Sequence, residues 1–402
     1  TEPIINGPQD IGFDKSYITV AGIQNGPYSF FQDGYLTTNK TDVVSWERGC
    51  YNASCGRSCI GSGDVSEGDA NWDSSAYNQI LVNETTKFID QHLVNSQTGD
   101  PFFVYVPLGA AHTPHTPPDR YLDGSPVAGE YGNRFLEILL EMDKAVGSLV
   151  DVIESRKLAK NTVIIFASDN GGLPYELTQA SNHYTNGPLR DFKGSPYEGG
   201  HRIPLIIRYD GQFPPGEVRS QLVSLTDIYA TLCDLVGVKV PKASARDSIS
   251  FLGYMYTAAN KKVRRWLKTF LYRKNSPTEA IRHNEMKAIR TTTKNGDVEY
   301  ELYNLEDDIS ETTNLALNPS YEKTLITMLN KISKKSYCAT IRGRNNIICK
   351  HYTSCNNLKT WTTTWKGKVK DCKWVAKNPN KKRCSQIAPN GIHAYQACSC
   401  AC

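Results

Sequence analysis

Two apolar, strand-like segments flank a helix-like one between residues 102 and 167. Residues 102–108 are apolar and aromatic on both faces, which predicts a buried strand with layers on either side. From Phe135 to Ile153 apolar residues recur at steps of four and three, as in a helix that packs one face on a sheet. The second strand is expected at 162–167, and another apolar run follows at 203–207. This order predicts a mainly parallel α/β sheet sandwiched by helices.

The pattern changes near residue 255. A helix predicted at 225–236 ends at Gly237, a common residue after a helix C-terminus. Short strand-like segments follow at 268–273, 287–292 and 299–305, separated by turn residues such as Asn295-Gly296. They predict an antiparallel sheet closed by a helix at about 319–332. We therefore predict a main α/β domain at 1–255, an antiparallel-sheet subdomain at 256–333 and a basic, Cys-rich tail at 334–402.

The composition is that of an ordinary globular chain. Of 402 residues, 39% are hydrophobic and 22% are charged, which excludes disordered, collagen-like and coiled-coil proteins. The longest nearly unbroken apolar stretch, 102–111, has about half of the roughly 20 residues that a transmembrane helix needs. No membrane span is predicted.

Charge and cysteine are concentrated in the tail. From Lys334 onward 14 Lys and Arg stand against one acid, a net charge of +13, so the rest of the chain carries −8 of the total +5. Eight of the 12 cysteines lie there too. The even cysteine numbers, with Asn-x-Ser/Thr triplets at Asn39, Asn52 and Asn83, predict a disulfide-bonded glycoprotein of the secretory route, secreted or lysosome-like. Each triplet alone is equally well an unused surface sequence.

Cys50, Cys55 and Cys59 are spaced for disulfide bonds, not for the close pairs that bind zinc.

Side chains suited to catalysis or ligand binding stand at three places along the predicted strands: directly after 102–108, directly after 162–167 and ahead of 203–207. Ligands collect at such a strand edge of an α/β sheet. Asp169 and Asn170 offer oxygen ligands for Ca²⁺ or Mg²⁺, although any sharp turn favours the same residue types. His112 could donate to an anionic oxygen or protonate a leaving group, with a structural histidine as the alternative. Lys193 stands among glycines as a point charge for an anion, or else as a solvated lysine.

Together these segments resemble the sulfatase family of the alkaline-phosphatase superfamily over residues 10 to 320. The resemblance begins at Gly12-Phe13-Asp14 and includes the specific run Lys193-Gly194-Ser195-Pro196-Tyr197-Glu198-Gly199-Gly200-His201-Arg202-Ile203-Pro204. It also includes Glu301-Leu302-Tyr303-Asn304-Leu305 and Glu311-Thr312-Thr313-Asn314-Leu315.

The resemblance implies an alkaline-phosphatase/sulfatase-like fold and hydrolysis of sulfuric esters, with a sulfated small molecule or sulfated glycan as substrate. By the same resemblance Asp169 and Asn170 form half of a Ca²⁺ site, while His112 and Lys193 hold the sulfate and assist departure of the alcohol. Arg202 and Glu198 are implied as supports of the loop. A sulfate ester needs such cations and donors as charge moves during cleavage.

The sequence departs from the family in its nucleophile. Sulfatases use a formylglycine made from a C/S-x-P-x-R signature, and none of the 20 prolines here has Cys or Ser two positions before it. The paired aspartates that complete the Ca²⁺ site and a Gly-Lys-x-His segment are absent too. All three belong before Ile11, so we expect a sulfatase that lacks its front third, with formylglycine in the missing part and no turnover by this chain alone.

Two alternatives remain from the sequence. A phosphatase or phosphodiesterase of the same superfamily would use a similar metal crevice. A non-catalytic protein would bind anionic polysaccharide through the tail, where Trp361, Trp365 and Trp374 could stack on sugar rings, unless the tail is only a disulfide-stapled appendage. Nucleic acid is not an expected partner. Residues 173–186 and His115 are expected to rim the pocket.

Overall fold

The computed structural model describes residues 3–47, 65–96, 99–174, 182–241, 244–257, 263–273, 276–295, 297–332, 362–365 and 368–371. The chain forms two compact units. The first comprises Thr1–Gly187, Ile203–Glu217 and Met255–Thr257, and the second Pro188–Arg202, Val218–Tyr254 and Ala258–Cys402. The domain limits drawn from the sequence stay a prediction.

Two long helices form the frame of the first unit. Helix α1 spans Tyr77–Asn95, and a 3₁₀ turn, Ser74–Ala76, precedes it. Helix α2 spans Arg134–Ser155, and the Asn133 side chain accepts the first free amides of this helix, as an N-cap does. The sequence predicts both helices: Ile80, Phe88 and Leu93 with interspersed acids indicate one from Ser74 to about Val94, and the apolar stripe from Phe135 to Ile153 indicates the other.

The buried face of α2 differs in part from the predicted stripe. Phe135 and Ile153 are buried as expected, but Glu137 and Glu141 are also buried, while Leu139 and Val146 are only half-buried. A carboxylate that has a partner can occupy an interior position, which apolar spacing does not reveal.

Small antiparallel sheets surround the start of α1. Their pairings are β1 with β2, β2 with β3, and β4 with β5. Their bounds are β1 Tyr17–Ile18, β2 Phe31–Gln32, β3 Tyr35–Leu36, β4 Val43–Glu47 and β5 Val65–Asp69. Aromatic residues of this region pack with the first turns of α1 in a core that contains Tyr28, Phe30, Trp72, Tyr77 and Leu81.

The strands expected near 162–167 and 203–207 are present, but they pair in the opposite sense. Strand β6 spans Ile164–Ala167, strand β7 spans Leu205–Arg208, and the two are antiparallel. The predicted parallel arrangement is wrong for this pair. A parallel pair needs a crossover, usually a helix, and in the described part of 168–204 the longest helix has four residues.

Residues 102–108 form no assigned strand, so that prediction is wrong. The segment is extended, and its side chains alternate: Phe103 and Tyr105 are 62% and 71% exposed, whereas Val106 and Leu108 pack on the aromatic core. A strand requires ladder hydrogen bonds to a neighbour, and none of the described residues pairs with this segment.

The second unit is built on a four-stranded antiparallel sheet, as predicted, with order β11-β10-β9-β8. The strands are β8 Leu267–Arg273, β9 Ser276–His283, β10 Met286–Thr292 and β11 Val298–Asn304. Of these, β9 was not predicted. One face packs against the closing helix through Ile281, Ala288, Leu302 and Met328. The other face buries Ala280, Ile289, Tyr303 and Leu305 with Tyr197.

The other helices are shorter. They are α3 Glu198–His201, α4 Asp227–Leu235, α5 Leu252–Tyr256 and the closing helix α6 Glu322–Ile332. Helix α4 begins two residues after its predicted start. Gly237 has φ +72°, and the amides of Gly237 and Val238 bond back to the helix, which confirms the predicted C-terminal cap.

Only a hairpin of the tail is described, β12 Thr362–Trp365 paired with β13 Lys368–Asp371. Cys233 is free, and the other 11 cysteines lie outside the described residues, so the disulfide prediction stays open. Across the described ranges no helix is long and apolar enough to cross a bilayer.

Candidate active site

His112 lies at the end of a turn that follows the extended segment 102–108. Its backbone amide donates to the Gly109 carbonyl at 3.0 Å, and its ring is exposed. The ring Nδ1 is 2.8 Å from the carbonyl oxygen of Thr113, so we assign the proton to Nδ1. Nε2 is therefore the atom that a substrate oxygen would meet. A protonated ring would donate from it to a departing oxygen.

Asp169 and Asn170 lie on the turn that follows β6. The Ser168 hydroxyl donates to the Asn170 carbonyl at 2.8 Å, and the Asn170 side-chain amide donates to Gly171 at 3.1 Å. The Asp169 side chain is exposed and makes no hydrogen bond or ion pair to a described residue. The turn thus leaves carboxylate and amide oxygens available.

Asn186, which lies 14 residues after Gly172 in the sequence, braces this turn through its side chain. Its Oδ1 accepts from the Gly172 amide at 2.8 Å, and its Nδ2 donates to the Gly172 carbonyl at 3.1 Å. A Cβ on Gly172 would approach the Thr185 side chain to 2.9 Å, so glycine permits the close contact. Asn186 belongs to the stretch predicted to rim the pocket, but the sequence did not indicate this bracing role.

The donors at Asp169 and Asn170 have the right chemistry for Ca²⁺, yet they are too few. The two side chains supply at most three oxygens, whereas Ca²⁺ takes six to eight. Within the described residues no group of three or more His, Cys, Asp or Glu side chains could hold a metal ion. These two side chains alone would fill only part of a Ca²⁺ coordination sphere, and the calcium site stays a prediction.

Lys193 belongs to a tightly folded loop, 190–202, in the second unit. The Gly199 amide donates to the Arg190 carbonyl at 2.9 Å, which closes the loop on itself. A Cβ on Gly199 would lie 2.2 Å from the Asp191 oxygen, and one on Gly200 would lie 2.3 Å from the Ser195 oxygen. Only glycine fits these two positions. Lys193 itself is half-buried, and no described residue forms an ion pair with it.

A buried ionic cluster anchors the end of this loop to the sheet. Lys287, on β10, lies 3.0 Å from Glu198 and 2.8 Å from Glu311, and all three side chains are buried. The Glu311 carboxylate also accepts the backbone amide of Glu198 at 2.6 Å. Arg202 and Arg282 contact the other oxygen of Glu198 at 3.2 and 3.3 Å.

Burial and neighbouring charges set the pKa values of Glu198, Glu311 and His201. Burial alone would raise the pKa of Glu198, but Lys287 and Arg282 outweigh it and hold that pKa below its usual value. Burial raises the pKa of Glu311 and outweighs the lowering by Lys287. Burial and Lys287 lower the pKa of His201 to about 4, so this ring is neutral at pH 7 despite lying 3.7 Å from Glu198.

The start of the loop is held by Arg190. Its guanidinium stacks on the Tyr197 ring at 3.7 Å and donates to the Tyr303 hydroxyl and the Glu311 carbonyl. Both tyrosine hydroxyls donate to Glu301. Both ends of the Lys193 loop are thus fixed to the same sheet.

The four predicted site residues are each placed on a braced turn. In the first unit no hydrogen bond joins His112, Asp169 and Asn170 to one another, so their convergence with Lys193 on one anion stays a prediction. The sequence missed the bracing residues Asn186, Lys287 and Glu311, and also Asn78, whose Oδ1 accepts the Gly109 amide of the His112 turn at 2.8 Å. For Glu311 a signal existed, because it lies in one of the family-like segments, but no role followed from it.

His115 is a packed residue of the first unit. Its ring contacts Phe135 edge-on at 5.2 Å, and Phe135 in turn lies 5.9 Å from His183 of the predicted rim. Burial lowers the pKa of His115 to about 4, so the ring is neutral at physiological pH.

Comparison with known proteins identifies the family. The sulfatase profile matches residues 27–238, and the profile of the N-sulphoglucosamine sulphohydrolase C-terminal region matches 192–337. A sulfatase of Formosa agariphila is 32% identical over 268 residues, which are 59% of this chain and 46% of that protein. An N-acetylgalactosamine-6-O-sulfatase of Bacteroides thetaiotaomicron is 27% identical over 365 residues, 81% of this chain and 69% of that protein.

A solved structure supports the fold. A Bacteroides thetaiotaomicron protein, described with the metabolism of multiple glycosaminoglycans, superposes with a TM-score of 0.66 at 24% identity and covers 81% of this chain and 74% of its own. The chain thus has the predicted sulfatase-like α/β fold with a C-terminal antiparallel sheet. It spans about half the length of the Formosa relative. Because the sulfatase profile covers more than half of the residues, the chain belongs to the sulfatase family.

Proposed function

We propose that this chain serves the hydrolysis of sulfuric esters on sulfated carbohydrate. The proposal rests on the match to the sulfatase profile over residues 27–238, because this range contains all four candidate site residues. The Bacteroides thetaiotaomicron relative is named for a sulfated amino sugar, and the second profile is named for another. These names favour a carbohydrate over an aryl sulfate.

The proposed roles follow from the chemistry of the ester. The sulfate group is an anion, and its cleavage develops further charge on the leaving oxygen. Lys193 would neutralise a nonbridging oxygen, and Nε2 of His112 would donate to the departing alcohol. Asp169 and Asn170 would contribute to a Ca²⁺ site that other ligands complete, where the ion would offset charge on the sulfate.

The nucleophile is the part that this chain does not supply. Without a C/S-x-P-x-R sequence it contains no residue that would become formylglycine. We therefore propose that the 402 residues alone show no turnover, although they bind and orient the ester.

The test compares sulfate and phosphate esters. The protein is expressed from its complete reading frame in a host that makes formylglycine, and it is assayed on N-acetylgalactosamine 6-sulfate and on the matching 6-phosphate. We expect hydrolysis of the sulfate, with losses of about 10² to 10³ in turnover for His112→Ala or Lys193→Ala. The exposed Lys160→Ala is the control. Preference for the phosphate would favour a phosphatase of the same superfamily.

A second candidate is non-catalytic binding of anionic glycan. The specific observation is the +13 charge from residue 334 onward in a chain that lacks a nucleophile. Salt-sensitive retention of the 402-residue chain on a sulfated-glycan column, together with a complete reading frame that has no C/S-x-P-x-R and no hydrolysis, would support this function over the first.

A further inference from the structure

A continuous hydrogen-bond path leads from the interior of helix α2 to His112. The Asn78 side-chain amide, on α1, donates to Glu141 Oε2 on α2 at 2.5 Å. The Gly109 amide donates to Asn78 Oδ1 at 2.8 Å. The Gly109 carbonyl then accepts from the His112 amide at 3.0 Å. Three bonds therefore connect a buried carboxyl to the turn that carries the candidate histidine.

The two side chains at the root of this path are withdrawn from solvent. Glu141 is 0% exposed and Asn78 is 3% exposed. Sequence patterning assigned no role to either residue. Burying a carboxyl and an amide on facing helices costs desolvation free energy, so each group needs a hydrogen-bond partner. The bonds that they make fix their orientation.

Glu141 determines which way the Asn78 amide points. A side-chain amide has one donating and one accepting end. Because Glu141 Oε2 takes the donating end, the accepting oxygen faces the Gly109 amide. A flipped amide would set its oxygen against the carboxyl oxygen and its NH₂ against the Gly109 N–H, so both bonds would be lost.

Packing at Gly109 leaves the turn little freedom beyond this bond. A Cβ at this position would lie 3.0 Å from the Tyr77 ring and 3.2 Å from Ile23. Tyr77 and Asn78 are consecutive at the start of α1, so one helical turn supplies both the steric wall and the hydrogen-bond acceptor.

We propose that Asn78 and Glu141 are a positioning pair that orders the turn at Gly109 and thereby orients His112. The proposal rests on the proposed function only for the role of His112. Neither side chain is placed on substrate; both act through the backbone of the turn.

The test is a reciprocal exchange of donor and acceptor in the full 402-residue chain at pH 8. Asn78→Asp keeps an acceptor for Gly109 but sets two carboxylates face to face. The double variant Asn78→Asp with Glu141→Gln restores one donor and one acceptor with reversed polarity and nearly unchanged volume. Glu137→Gln, a buried glutamate one turn earlier on α2, is the matched control.

Two readouts report on the turn without turnover. Amide hydrogen exchange follows Gly109, and the ring resonances of His112 are followed by NMR in histidine-labelled protein. We expect the single variant to speed exchange at Gly109 by about tenfold relative to the amides of α1 and to move the His112 resonances. The double variant should return both to within about twofold of the parent.

A double variant no better than the single one, or a single variant that behaves like Glu137→Gln, overturns the pairing. If Asn78→Asp does not fold, the double variant is compared with the parent alone. Gly109 exchange or His112 resonances in the double variant that differ from those of the parent then overturn the pairing as well. Absence of sulfatase activity in the protein expressed from the complete reading frame would remove the proposed function, but it would leave these readouts, and hence the positioning of the turn, intact.

Discussion

The ammonium group of Lys287 lies 2.8 Å from the carboxylate of Glu311, and the two side chains are 1% and 0% exposed. Lys287 also contacts Glu198, at the start of the short helix that ends the Lys193 loop. The buried ammonium group of Lys287 thus links the sheet of the second unit to two family-like segments. One, 193–204, precedes β10 in the sequence, and the other, 311–315, follows it.

Removal of this cation should destabilise the second unit strongly. In Lys287→Met two carboxylates remain buried with fewer partners, so we expect a loss of about 3 to 5 kcal/mol in the free energy of unfolding. Urea denaturation measures it. The control is Lys323→Met, an exposed lysine on α6, for which a change within about 0.5 kcal/mol is expected. A loss below about 1 kcal/mol for Lys287→Met would show that the cluster is not an anchor.

Gly199 provides a separate test of the loop. Alanine there would place its Cβ 2.2 Å from the Asp191 oxygen and 2.4 Å from the Arg190 oxygen, so the backbone must move. We expect Gly199→Ala to cost about 1 to 3 kcal/mol in urea denaturation, as overpacking does. Gly253→Ala, where no heavy atom lies within 4 Å of the added Cβ, should change stability by about 0.5 kcal/mol or less. Equal effects of the two variants would contradict the close approach.

Periodicity predicted the elements whose apolar pattern is regular. The helices at Tyr77–Asn95 and Arg134–Ser155 and the antiparallel sheet were all found in this way. Strand β9 was missed because its sequence, Ser276–His283, mixes charged and apolar residues. Its Glu279 is nearly buried because it pairs with Arg290 on the neighbouring strand, and strand register is not readable from one sequence.

Motifs predicted which side chains would carry chemistry, but not what holds them. His112, Lys193, Asp169 and Asn170 stand in family-like segments. Their supports come from positions distant in sequence, such as Asn78 for the His112 turn and Asn186 for the Asp169 turn. A buried polar residue looks like a surface residue in a sequence until its partner is known.

Calcium binding to this chain should be weak. Asp169 and Asn170 offer at most three of the six to eight oxygens that the ion takes, so no sub-micromolar affinity is expected in calorimetry. Asp169→Asn should abolish whatever weak heat is seen, whereas Asp123→Asn, an exposed carboxyl on another turn, should leave it unchanged. Sub-micromolar binding would mean that this chain supplies the missing ligands.

Glu141 should make stability depend on pH. Burial raises its pKa from 4.5 to about 7, only partly opposed by the hydrogen bond from Asn78, and its Oε1 has no hydrogen-bond partner among the described residues. A raised carboxyl pKa means that the fold binds this proton more tightly than the unfolded chain does. The stabilising contribution is therefore complete below about pH 4.5 and is lost as the pH rises through about 7, a change of roughly 3 kcal/mol.

Replacement by glutamine isolates this contribution, because His115 and His201, with lowered pKa values, titrate in the opposite sense and are unchanged in the variant. The unfolding free energy of Glu141→Gln minus that of the parent, measured in urea at pH 5 and pH 8, should rise by roughly 2 to 3 kcal/mol between the two. A difference that is the same at pH 5 and pH 8 would mean that Glu141 is already ionised at pH 5 in the folded chain. Its carboxylate would then need water or a cation as a partner.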